Sequence, residues 1–195
     1  MTTELHPLGF FLPENTRLLM LGSFPPPRAR WSMDFYYPNI QNDMWRILGL
    51  IFYGNKDAFL RDKKAFSEEK AKAFCREKGI GIGDTAMEVI RLKANASDKF
   101  LEVVRPIDPE KVLSQIPECV AIVVTGQKAM DTLLSVLPGT EEPKVGFSSE
   151  FSCMGRTMGR TMRLFRMPSS SRAYPKPLEE KAAIYRGMFE TLGMV

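Results

Sequence analysis

Histidine is almost absent from this chain, with His6 the only one. Its place near the N-terminus argues against zinc or iron sites built on imidazole and against a triad with a histidine base. His6 itself reads as an exposed tail residue. Cysteine is scarce too: Cys75, Cys119 and Cys153 are far apart and odd in number. That excludes a disulfide framework, a CxxC metal site and a four-cysteine iron-sulfur cluster. No apolar run is long enough to span a bilayer, so no membrane partner is expected. The opening MTTELHPLGFFLPEN has no basic stretch followed by an apolar one. It is no signal peptide, and a cytoplasmic protein is expected. Repeats, low-complexity tracts and linkers are missing, so residues 1–195 are expected to form a single domain, acting as a monomer.

What is present is 44% hydrophobic and 26% charged residues, the balance of a chain that folds around a core. The net charge is +4 and the pI about 9.0, a weak pointer to an anionic partner. Between Phe151 and Lys176 there are six basic residues, Arg156, Arg160, Arg163, Arg166, Arg172 and Lys176, and no acidic one. This run is either a solvated basic face or a phosphate-contacting surface. The second reading gains weight if the run lies beside the loop described next.

Arg17 to Gly22 reads as a buried strand, followed by the loop GSFPPPRARWSMDFYYPNIQN and a helix from Asp43 to Phe52. Asn42 sits where an N-cap would sit. Ser67 can cap a helix over 68–78 that Gly79 closes, and Ile80–Ile82 starts a short strand ending in Gly83-Asp84-Thr85. Asp108-Pro109 opens a helix to about Ile116. Cys119–Thr125 is apolar throughout, as a parallel strand covered on both faces would be. A helix follows Gly126 to about Leu137, then a loop over Pro138–Glu142. Phe147–Gly159 reads as a flexible loop or a short hairpin, Thr161–Met167 as the last strand, and Pro177 opens a final helix. Strands alternating with helices predict an α/β fold with a mostly parallel sheet covered on both faces.

Two loops follow strand ends: the long first one and Arg166-Met167-Pro168-Ser169-Ser170-Ser171-Arg172-Ala173-Tyr174-Pro175. In a parallel sheet both strand ends reach the same edge, so the loops can face one cleft. The second offers three hydroxyls, a run of backbone N–H groups and flanking cations, which suit phosphate oxygens and developing negative charge. It lacks P-loop spacing, so a nucleoside triphosphate is not indicated. A plain Ser-rich turn before a helix has the same composition.

The two loops resemble the two active-site motifs of the uracil-DNA glycosylase superfamily. The nearest branch is the one with hypoxanthine-DNA glycosylases, related to the mismatch-specific uracil/thymine-DNA glycosylases. The pieces that carry the resemblance are Gly22-Ser23-Phe24-Pro25, Tyr36-Tyr37 through Asn42-Asp43-Met44-Trp45, and Met167-Pro168-Ser169-Ser170-Ser171. GIGIGDTA (79–86) and IVVTGQKAM (122–130) resemble its internal strands and turns. The resemblance implies a three-layer α/β/α sandwich on a four-stranded sheet. It also implies a monofunctional enzyme, needing no cofactor, that flips a deaminated base (uracil, hypoxanthine or xanthine) out of DNA and cleaves its N-glycosidic bond.

Residue by residue, the resemblance implies the following. Phe24 occupies the slot where common members carry the water-positioning Asp or Asn, so that role passes to Asn42, the asparagine position of the hypoxanthine branch. Asn42 keeps its other reading as a helix cap, and Asp34, Asp43 and Asn39 stay open as substitutes. Tyr37, or Tyr36 or Phe35 beside it, is the platform on which the base stacks. Gly22, Ser23 and Phe24 meet the base edge. Ser169 helps hold the leaving base, and Ser170, Ser171, Arg172 and Tyr174 contact the DNA strand. The second motif lacks the histidine of several relatives, which implies either a base that leaves more easily or reliance on backbone N–H groups. Two alternatives remain: a catalytically weak nucleic-acid or damaged-base binding module, and a nucleoside or nucleotide N-glycoside hydrolase.

Overall fold

The computed structural model describes residues 2–92, 98–153 and 160–195. In chain order the elements are β1 (Thr3–Leu5), β2 (Leu18–Gly22), α1 (Met44–Tyr53), β3 (Leu60–Asp62), β4 (Ala65–Phe66), α2 (Glu68–Lys78), β5 (Ile80–Asp84), β6 (Ala86–Arg91) and β7 (Leu101–Pro106). There follow α3 (Pro109–Leu113), β8 (Ala121–Thr125), α4 (Gln127–Leu134), β9 (Ser148–Cys153), β10 (Arg160–Met167) and α5 (Leu178–Thr191).

The central sheet has the order β5-β2-β8-β10-β9. The first four strands are parallel and β9 runs antiparallel to β10. The sheet is thus the expected parallel four with a fifth strand added at one edge. Alternation along each strand divides the core. Leu18 and Met20 of β2, with Phe165 and Met167 of β10, pack against α1, α2 and α5. Leu19 and Leu21, with Met162 and Leu164, pack against α3 and α4. A strand buried on both faces has to be apolar at every position, which is why β2 and β8 read as unbroken hydrophobic runs. The result is an α/β/α sandwich.

Local signals set the helix ends. Ser67 accepts a hydrogen bond from the Lys70 N–H at 3.3 Å, and Gly79 closes α2 with φ of +65°. Asp108 accepts from the Lys111 N–H at 3.0 Å with Pro109 in the first turn of α3. Helix α1 begins at Met44 rather than Asp43, and α3 and α4 stop three residues short of the sequence expectation. The 147–159 segment contributes one arm of a hairpin, β9, whose partner is β10; its remainder, 154–159 with Arg156, lies outside the described residues.

A small antiparallel sheet, β1-β6-β7, was not legible as strands in the sequence. It packs Ala86, Val89 and Leu101 against Phe24 of the first loop. Pairing of β1 with β6, continued by the His6 N–H donating to the Met87 carbonyl at 2.9 Å, carries the N-terminal segment to the end of β5. All four parallel strands end at one edge, where Gly22, Asp84, Thr125 and Met167 stand side by side.

Candidate functional site

A cleft of about 680 Å³ opens over that edge. The first loop, the ends of β2, β5 and β8, and the second loop line it. The two loops touch directly. Asn42 and Ser171 form a β-bridge, and the Asp43 N–H donates to the Ser170 carbonyl at 2.8 Å. Side chains reinforce the seam: the Asp43 carboxylate takes Arg172 Nε at 2.9 Å on one oxygen and Lys181 Nζ at 3.3 Å on the other. Lys181 also donates to the Ser171 carbonyl at 2.8 Å. Asp43 and Lys181 are buried, so they pair in a medium that screens them little. Below, the Tyr185 hydroxyl donates to the Pro168 carbonyl at 2.8 Å.

Asn42 lines the cleft and its Oδ1 accepts the Met44 N–H at 2.9 Å, an Asx turn that starts α1. The capping reading of Asn42 is therefore realised, from one residue ahead of the geometric cap at Asp43. A carbonyl oxygen has a second lone pair, so the turn leaves Oδ1 able to accept once more.

Of the three neighbouring aromatics, Tyr36 and Tyr37 line the cleft and Phe35 does not. Phe35 lies in the core between Phe11 and Trp45. Tyr36 is buried, with its hydroxyl 3.1 Å from the Gly9 carbonyl. Tyr37 is half-buried at the cleft, with φ of +52°. A left-handed backbone is uncommon for an aromatic residue, and such local strain is concentrated at functional sites. Its hydroxyl bonds Thr125 Oγ1 at 3.2 Å, and burial, then the nearby Asp84 charge, raises its pKa so that it stays protonated.

At the start of the loop the Gly22 and Ser23 carbonyls accept the N–H groups of Thr85 and Ala86, at 2.9 and 3.1 Å. The Ser23 hydroxyl donates to Asp98 at 2.8 Å. Burial raises the Asp98 pKa, an effect the Ser23 hydrogen bond opposes. Phe24 is buried. In the second loop Ser170 is buried, and Ser169 Oγ accepts the Ser171 N–H at 3.2 Å. Ser169, Ser171, Arg172 and Tyr174 all border the cleft. Asn39 lines it too, whereas Asp34 is exposed and pairs with Arg28 at 2.6 Å.

One expectation changes. His6 is not an exposed tail residue: its side chain is 3% exposed, and Nε2 lies 2.8 Å from Asp84 Oδ2. Its ring sits edge-on to Phe24 and stacked with Tyr36, 5.2 and 5.9 Å between centroids. The small sheet causes this, because β1 delivers the N-terminal segment there. The described basic residues of 151–176 divide: Arg172 borders the cleft, while others are engaged by neighbouring segments. Arg166 pairs with Glu142 at 2.9 Å and also reaches Gln127, and Arg160 donates to the Pro117 carbonyl. The run is free of acids only along the chain; in space other segments bring acceptors to it.

Three residues at the site escaped the sequence reading. Asp84 lines the cleft floor, and its Oδ1 lies so close to Gly22 that a Cβ there would sit 2.4 Å away. Its signal was its place at the end of a parallel strand. Lys181 had a signal as well, a cation three residues after Leu178 and four before Tyr185 on the apolar stripe of α5. Nothing local marks Asp98. Both described thiols are inert, since burial pushes Cys75 up to about 12 and Cys119 up to about 11.

No family profile and no curated protein matches this chain. Among solved structures it is similar to the solution NMR structure of a candidate uracil DNA glycosylase from Methanosarcina acetivorans. The TM-score is 0.59 at 24% identity, over 92% of this chain and 95% of that one. At that identity the likeness is one of fold.

Proposed function

We propose that this protein is a DNA glycosylase of the uracil-DNA glycosylase superfamily, on its hypoxanthine and mismatch-specific side. In this reading it acts as a cytoplasmic monomer without a cofactor, and hydrolyses the N-glycosidic bond of a deaminated base flipped into the cleft. The observation that carries the reading is the meeting of the two motif-like loops. They are 129 residues apart between Asp43 and Arg172, yet they are bonded to each other and line one cleft at the strand ends. The whole-chain likeness of fold to a candidate uracil DNA glycosylase supports it. A cleft of this size and mixed polarity suits a small planar ligand.

The chemistry assigned to the cleft is a hydrolysis. The C1′–N bond breaks with its electron pair going to the base, and the sugar passes through an oxocarbenium-like state. The oxygen of a water then bonds to C1′ and sheds a proton to solvent, and the base anion takes one up, so the products are the neutral base and the abasic sugar. Asn42 Oδ1, with the lone pair left beside the Met44 contact, accepts one water O–H and aims the oxygen. Tyr37 is the platform for the base. Asp84 deepens the substrate reading: a carboxylate oxygen accepts hydrogen bonds. Uracil, hypoxanthine and xanthine present a ring N–H where cytosine and adenine present a bare ring nitrogen. An acceptor on the cleft floor therefore favours uracil and hypoxanthine over their parents cytosine and adenine, while guanine and thymine carry the same ring N–H and must be excluded by shape. Ser169 to Ser171 and their backbone N–H groups face strand phosphates and the departing anion.

The test is base release. Duplexes carrying uracil, hypoxanthine or xanthine are incubated with the protein, and abasic sites are cut with alkali. Strand scission with at least one of them, abolished in Asn42→Ala and not restored by added protein, is expected. A second reading, a base-binding module, draws on the engaged Asn42 carbonyl and on Phe24 in the first motif. DNA binding with no scission on any substrate favours it and overturns the glycosylase. Scission of free deoxyinosine or deoxyuridine alone assigns a nucleoside hydrolase instead.

A further inference from the structure

A second concavity, of about 360 Å³, adjoins the cleft at Arg172. Arg46, Lys56, Arg172, Lys176 and Lys181 line it, with Asp43 as the one carboxylate among the lining residues. These cations come from α1, the segment after it, the second loop and α5, so the sequence does not display them as a group.

Their charge is not balanced by the protein. Asp43 is shared between Arg172 and Lys181. Lys176 has Glu180 at 3.1 Å, a pair open to solvent on the Glu180 side. Arg46 spends one guanidinium nitrogen on neutral acceptors, the Ile40 and Asn42 carbonyls at 2.8 and 3.3 Å. Lys56 is exposed and makes no ion pair among the described residues. Arg46 registers the crowding: burial and then the Arg172 charge lower its pKa, against Asp43 and Asp57. The lining is nearly devoid of apolar side chains, Leu178 apart, which disfavours a neutral organic ligand. Guanidinium forks and ammonium groups converging on one hollow are the arrangement that holds phosphate oxygens.

We propose that this concavity is a phosphate-binding site, and that the phosphate it takes is a backbone phosphate of the nucleic-acid strand whose nucleotide enters the cleft. The source of the phosphate rests on the glycosylase reading; the site itself does not. Arg172 borders both hollows and is held by Asp43, next in sequence to Asn42, so a phosphate seated here registers the strand against the catalytic loop.

The test uses the full chain with Lys56→Gln and Lys176→Gln combined, two residues outside the proposed chemistry. Lys63→Gln with Lys64→Gln, on the exposed turn between β3 and β4, is the control of equal charge. Binding of an undamaged, fluorescein-labelled duplex is followed by anisotropy over a range of sodium chloride concentration. The expected result is weaker binding by the first variant. Its slope of log affinity against log salt should be shallower by about 0.9 for each phosphate that the variant leaves unneutralised, or about 0.7 on a single strand. The control should keep the wild-type slope. Thermal melts in inorganic phosphate form the second arm. An unchanged DNA slope, with a phosphate-dependent rise in melting temperature that is absent from the variant, reassigns the site to free phosphate and overturns the backbone source. An unchanged slope, with wild type and variant responding alike to phosphate, overturns the site. Because the DNA is undamaged, these outcomes are independent of whether the protein releases any base.

Discussion

Lys181→Met tests the claim that a buried ion pair stitches the two loops together. Lys181 is 1% exposed and bonds Asp43 Oδ2 and the Ser171 carbonyl. Methionine keeps most of the volume and the unbranched shape, so packing changes little. What changes is that Asp43, buried itself, loses a counter-charge. Breaking a buried pair on one side costs about 3–5 kcal/mol. Arg172 remains on Asp43 Oδ1 and the Tyr174 N–H remains on the Ser171 carbonyl, so the low end, about 3 kcal/mol, is expected here. For a chain of 195 residues each kcal/mol moves the melting temperature by roughly 2–4 °C, so a fall of roughly 6–12 °C should follow. Circular dichroism melts and urea titrations of Lys181→Met, Asp43→Asn and the double variant close the cycle. The double variant should be more stable than the sum of the singles predicts, by about 1 kcal/mol or more, because removing both charges leaves neither orphaned. A single variant within about 1 kcal/mol of wild type, or strict additivity, refutes the reasoning.

Asp98 gives a pH prediction. Its pKa is raised, chiefly by burial, so the folded chain holds that proton more tightly than the unfolded chain does. Its contribution to stability is present at acid pH and is lost as pH rises from the ordinary carboxyl range to the raised folded value. Asp98→Asn, which still accepts from Ser23, should gain melting temperature over wild type at pH 7 relative to pH 4. An equal difference at the two pH values contradicts this. Gly22→Ala places a Cβ 2.4 Å from Asp84 Oδ1 and must displace that carboxylate. Base release should fall by at least tenfold, about 1.4 kcal/mol of transition-state energy, while affinity for undamaged DNA is retained; normal release would remove Asp84 from the site.

Signals carried by neighbours along the chain were legible. Strands β2 and β8 announced themselves because a strand covered on both faces must be apolar throughout. Ser67 with Gly79, and Asp108 with Pro109, marked helix ends because the unpaired N–H and C=O groups there select those residues. The small sheet was missed because its strands, partly exposed and mixed with charge, follow no clear period: β7 reads LEVVRP. The first loop and the Ser-rich loop stood out by composition, and parallel topology placed both at one sheet edge, but the bonds that join them came only with the tertiary structure.

The sequence by itself determined the layering, the sheet edge at which the cleft opens and the two loops that form it, because these follow from hydrophobic period and strand direction. Only the tertiary structure decided which side chains enter the cleft and what holds them. The placement of His6 against Asp84, the contact of Tyr37 with Thr125, the burial of Lys181 against Asp43, and the neutralisation of Arg166 by Glu142 join residues far apart in the chain. Such pairings are selected by charge and shape in three dimensions, and local sequence carries no trace of a partner brought in by a distant element.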